Sequence, residues 1–118
     1  MRDNIIQIKT FKFALKIIEL YKILHKEKEY VLSKQLLRCG TSIGANVEEA
    51  LRAQSSKDFI SKMSIASKEA NETFYWLRLL KDSKLIIEGS HTELFSEIQE
   101  IIKIISSIIL TTKQKIEK

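Results

Sequence analysis

The chain has 118 residues, 44% hydrophobic and 30% charged, with three glycines and no proline, which at this length is one domain, 1–118, able to bury about 65% of its unfolded surface. The scarcity of breakers excludes a sheet protein with many turns and favours a few long helices, so the expected fold is all-α, an antiparallel up-down four-helix bundle. The net charge is +5, with ten basic against six acidic residues in 1–55 and ten against nine beyond, a balance compatible with nucleic acid or acidic lipid.

The first helix is predicted from about Ile8 to His25. Phe11, Ala14, Leu15, Ile18 and Tyr21 form one apolar stripe; Phe13, Ile17, Leu20 and Leu24 form a second at the same spacing. Together they cover an arc of roughly 240°, well beyond the ~100° that a helix on the surface of a monomer needs. Part of that surface is therefore expected to meet another subunit. Met1-Arg2-Asp3-Asn4 does not have the character of a signal peptide, and a cytoplasmic location is expected.

After a solvated connection at Lys26-Glu27-Lys28-Glu29, the second helix is expected from Tyr30 to Ser33 as far as about Gln54. Leu36, Gly40, Ile43, Val47 and Ala50 share one face, so the segment is a helix despite Gly40 and Gly44, each costing about 1 kcal/mol against alanine. Those glycines form a small-xxx-small pair that lets another helix backbone approach closely. A phosphate loop is excluded, because a Walker loop separates its glycines by four residues and ends in Gly-Lys-Ser/Thr. The outer face reads Lys34, Arg38, Thr41, Ala45, Glu48, Arg52, with Glu48 and Arg52 one turn apart and placed to pair. A third row, Gln35, Cys39, Ser42, Asn46, Glu49 and Ala53, is small and polar, as at a helix or subunit contact bridged by hydrogen bonds. Cys39 is the sole cysteine, which rules out an internal disulfide and suits a buried thiol in a reducing compartment.

Ser55-Ser56-Lys57-Asp58 is a break and restart, with serine capping and an early aspartate suiting the helix dipole. The third helix then runs to about Ser83 on a core stripe of Phe59, Met63, Ala66, Ala70, Leu77 and Leu80, broadened by Ile60 and Phe74. Its end, Phe74 to Leu80, is apolar almost all round, which marks Tyr75 and Trp76 as subunit-contact candidates. Gly89 ends the next connection, and Ser90-His91-Thr92-Glu93 has capping-box spacing. The fourth helix carries Leu94, Ile98, Ile101, Ile105, Ile108 and Thr112 at alternating spacings of four and three, flanked by Phe95, Ile102, Ile109 and Ile116. The isoleucine-rich run at 98–110 is too short to span a bilayer, and no membrane association is expected.

Arg38, Ser42-Ile43, Asn46, Glu49, Ser55 and Lys57-Asp58-Phe59 match without gaps the pattern of the bacterial family encoded in ribosomal RNA intervening sequences. The chain resembles that family over nearly its whole length, most specifically in residues 38 to 80, with Ala50 standing where many members have glycine. The resemblance implies a plain four-helix bundle, related in architecture to the accessory protein of diversity-generating retroelements, and assembly as a five-subunit ring.

Catalytic ingredients are thin. His25 and His91 fall at a helix end and in a capping turn, neither in metal spacing with Cys39, and Glu69 and Glu72 lack the Glu-x-x-His of a di-iron bundle. No enzymatic activity, catalytic residue, metal or cofactor is expected. Two classes of function remain. One is a basic ring that contacts nucleic-acid phosphates, RNA or DNA, through Lys34, Arg38 and Arg52; five copies at +5 each carry +25. The other is a structural or adaptor oligomer that presents its apolar and aromatic surface to a protein partner. In either, Gly40, Ser42, Gly44, Asn46, Glu49, Tyr75 and Trp76 serve helix or subunit contacts.

Overall fold

A computed structural model describes residues 2–117, with side chains from residue 5 onward. Four helices follow one another: α1 (Arg2–Lys26), α2 (Val31–Leu51), α3 (Ser56–Asp82) and α4 (Thr92–Glu117). Each packs against its chain neighbours, and α4 closes back on α1, giving the up-down square of a four-helix bundle 51 × 21 × 20 Å in extent. No helix is long and apolar enough to cross a membrane among the described residues.

α1 starts earlier than Ile8 because its core stripe does. Ile6, Thr10, Phe13, Ile17, Leu20 and Leu24 are all buried at alternating spacings of four and three. The polar Thr10 is tolerated inside because its hydroxyl donates to the Ile6 carbonyl one turn back, at 2.8 Å. Of the two apolar stripes on α1, the one through Phe13 and Ile17 faces the core. The other points out: Phe11 is 65% exposed and Leu15 51%.

α2 buries Leu36, Gly40, Ile43, Val47 and Ala50 as its spacing predicts. A methyl group on Gly40 would stand 2.9 Å from Cγ2 of the fully buried Ile17. One on Gly44 would stand 3.4 Å from the Thr10 carbonyl oxygen. Gly40 thus seats α2 directly on α1, at a cost in helix propensity that the close packing offsets, whereas a side chain at Gly44 would make ordinary contact.

Helix ends depend on residues other than glycine. Lys28 and Lys84 adopt the left-handed conformation, and the chain turns there, with Glu29 N–H donating to the Leu24 carbonyl and Leu85 N–H to that of Leu80. Glu29 is more than part of a solvated link: its carboxylate accepts from the backbone N–H groups of Leu32 and Ser33 and so caps the start of α2. α2 stops at Leu51, short of Gln54. Ser55 caps α3 as expected, its Oγ accepting from Asp58 N–H at 3.0 Å. The capping box at Ser90 does not form. The Ser90 hydroxyl donates to the Ile87 carbonyl, His91 has φ +56°, and α4 begins only at Thr92. From there Leu94, Ile98, Ile101, Ile105 and Ile108 line the core.

Candidate nucleic-acid interface

The outer face of α2 carries the three basic residues singled out above, and the fold treats them differently. Lys34 and Arg52 are exposed, and neither enters an ion pair among the described residues. The expected Glu48 to Arg52 pair is absent from the ion pairs of the described residues; Arg52 is the C-cap residue that closes this face of α2, with φ −102° and ψ 8°. Arg38 is engaged across the α2–α3 seam. Its guanidinium reaches Glu69 at 3.3 Å and Glu72 more closely, while Nε donates to Gln35 at 3.4 Å. Partial burial works against the Arg38 charge, but Glu72 and Glu69 outweigh it and raise the group above the ordinary guanidinium range. Glu72 also accepts from the indole N–H of Trp76 at 3.2 Å. Arg38 is consequently a joint between two helices, with its charge already answered.

The acidic partners were visible as a pair three apart on α3. What the sequence does not contain is the rotation of α3 that turns this pair towards Arg38.

The polar row of α2 is satisfied largely within its own helix. Ser42 donates to the Arg38 carbonyl, and Asn46 to that of Ser42 at 2.8 Å. Two members of the row reach α3: Glu49 approaches Lys62 at 3.9 Å, and the Cys39 thiol meets the Thr73 side chain. Cys39 is fully buried, and burial pushes its thiol up from the usual range, so it is not an activated nucleophile. Tyr75 is half-exposed and packs edge-on to the part-buried Trp76, ring centroids 5.4 Å apart.

Beside this face lies an apolar groove between α1 and α2. Phe11, Ala14, Leu15 and Ile18 form one wall; Thr41, Gly44 and Ala45 form the other. Because Gly44 and Ala45 carry little or no side chain, the outward stripe of α1 continues onto α2 as one surface. Across the molecule, α1 and α4 are tied by Lys9 to Glu100 at 2.8 Å and by Lys16 to Glu97, and that hydrogen-bonded contact raises the Lys16 pKa. No group of three or more His, Cys, Asp or Glu side chains that could hold a metal occurs among the described residues.

These features define a four-helix bundle with exposed cations along α2 and an apolar flank on α1. The chain belongs to the 23S rRNA-intervening sequence protein family, whose model matches residues 2–107. It is similar to a solved structure from Bacteroides thetaiotaomicron, a protein of unknown function from the S23 ribosomal protein family. The two share 50% sequence identity and a TM-score of 0.89, over 92% of this chain and 98% of that one. No match was found among curated proteins.

Proposed function

We propose that this protein is a non-enzymatic homo-oligomer of the cytoplasm that holds RNA, or other nucleic acid, through phosphate contacts on the outer face of α2. The observation that carries it is the pair of exposed cations Lys34 and Arg52, free of ion pairs among the described residues, on the more basic half of a chain with net charge +5. Lysine and arginine on a helix face contact phosphates without reading bases. The family description names a 23S rRNA intervening sequence, and that of the similar structure names a ribosomal protein family. Both support RNA as the partner. The outward stripe of α1 supports oligomerisation, and a five-subunit ring, which the family resemblance implies, would repeat the basic face around an axis. Within that face Lys34 and Arg52 carry the contact, with Arg38 secondary because Glu69 and Glu72 compete with any phosphate for it.

The test is a mobility shift with structured RNA and with duplex DNA at two salt concentrations, comparing the intact protein with a Lys34→Glu, Arg52→Glu double variant. The expected result is binding that weakens as salt rises, lost in the variant, with the salt slope reduced by about two, one for each contact removed. Equal affinity of the two proteins would clear this face of the role. Absence of any shift at low salt, with salt-insensitive capture of a protein partner, would favour the adaptor alternative, for which the half-exposed Tyr75 offers a surface.

A further inference from the structure

The connection between α3 and α4 encloses a cleft of about 380 Å³, remote in sequence from the basic face of α2. Phe74 from α3, Phe95 from α4 and the buried Ile86 from the connection give it an apolar floor, and Ile87, 80% exposed, stands at its rim. Two cations overhang the rings. The Arg78 guanidinium lies 5.1 Å from the centroid of Phe74 and 5.8 Å from that of Tyr75; Lys81 Nζ lies 5.4 Å from that of Phe95. Neither cation has a carboxylate within 4 Å among the described ion pairs. Asp82 also lines the cleft, leaving its wall with a net single positive charge. Such a wall suits a ligand that joins an anionic group to a flat apolar body.

We propose that this cleft takes one nucleotide unit of a single-stranded RNA, its base against the Ile86, Ile87 and Phe95 side of the cleft and its phosphate between Arg78 and Lys81. An arginine guanidinium both stacks on a base and pairs with a phosphate, and aromatic side chains are the usual platforms for unpaired bases. The volume lies at the lower end of the range for ligand sites, enough for one flat unit. Gln99, also lining the cleft, supplies both a donor and an acceptor, the pair that a base edge needs and an apolar carboxylate does not. The inference rests on the RNA reading above while placing contacts at a second, independent position.

Two measurements test it. In the first, adenosine monophosphate is titrated into the protein and the backbone amide signals of Gly89, Ser90 and Gln99 are followed, with inorganic phosphate and an N-acetylated leucine carboxylate as separate arms. In the second, a fluorescent ten-nucleotide oligoadenylate is bound to the intact protein and to an Arg78→Gln, Lys81→Gln double variant whose helical content is checked by circular dichroism. The nucleotide is expected to shift the cleft signals more than either comparison compound. The variant is expected to lose those shifts and to bind the oligonucleotide about tenfold more weakly. Equal shifts from phosphate alone, or from the leucine carboxylate, would overturn the nucleotide assignment. Undiminished oligonucleotide binding by the cleft variant, with binding lost in the Lys34→Glu, Arg52→Glu variant, would overturn the cleft and leave the α2 interface standing. Nucleotide shifts confined to the cleft, with the α2 variant binding as the intact protein does, would support the cleft and overturn the α2 assignment.

Discussion

Gly40 and Gly44 sit one helical turn apart on α2, yet their neighbours make opposite demands on a substitution. A methyl group at Gly40 must displace the side chain of Ile17, which is enclosed on all sides. Overpacking of that kind costs about 1 to 3 kcal/mol, against about 1 kcal/mol gained from helix propensity. At Gly44 the nearest atom is 3.4 Å away, so the neighbours need give only slightly. Gly40→Ala should therefore lower the melting temperature while Gly44→Ala leaves it unchanged or raises it. Thermal unfolding of the two variants checks the order, and a reversed order would mean the helices are not in contact at Gly40. Cys39 supplies a second test. Burial raises its folded pKa above the ordinary value near 9.0, so the folded state holds the proton more tightly than the unfolded chain does. The resulting stability is fully present below about pH 9 and is lost as pH rises through the folded value. Cys39→Ala should flatten the alkaline fall in stability, and the native thiol should resist a disulfide reagent until the protein is unfolded. Rapid labelling of the native state would place Cys39 at the surface.

At the scale of the element, the core stripes of α2 and α4 were legible in the sequence because burial in a bundle imposes a spacing of three and four that apolar residues report directly. On α3 the apolar residues reported Met63, Ala66, Ala70, Leu77 and Leu80 but missed the fully buried Thr73 and included Phe59, which is only part-buried. On α1 the spacing reported two stripes and could not say which faced inward; in the fold the stripe containing Ile17 is the one on which Gly40 of α2 sits. Helix ends were less legible. The chain leaves α1 and α3 through left-handed lysines, and α2 is capped by Glu29 from a segment that composition marks as solvated. The candidate site was legible as residue types and not as contacts, since the pairing of Arg38 with Glu69 and Glu72 depends on the register between two helices. Capping allows a direct comparison of a formed motif with an unformed one. Ser55→Ala removes the acceptor for Asp58 N–H and should cost about 1 kcal/mol. Ser90→Ala removes a hydroxyl that only donates to the Ile87 carbonyl, and should cost a few tenths at most. Equal losses in chemical denaturation would mean that Ser90 caps α4 after all.

For the whole molecule, the decisive feature is the apolar surface that one bundle leaves uncovered. Ile8, Phe11 and Leu15 are each more than half exposed along one side of α1, and the groove beside them continues over Gly44 and Ala45 of α2. Single exposed apolar residues are ordinary, but a continuous stripe at helical spacing is the mark of an interface. Placing a charge there tests assembly without touching the core, because the buried stripe through Phe13 and Ile17 lies on the other side of the helix. A Phe11→Glu, Leu15→Glu double variant should keep its helical content and give monomer mass by light scattering at micromolar concentration, where the intact protein is expected to give the mass of an oligomer. The proposed pentamer predicts a fivefold difference in mass between the two. A twofold difference would keep the interface and remove the ring. An intact protein already at monomer mass would leave the outward stripe without an oligomeric role, and the proposed nucleic-acid contact would then be made by a single chain of net charge +5. With fewer phosphates engaged per complex, its nucleic-acid binding should then weaken less steeply with salt than that of a ring.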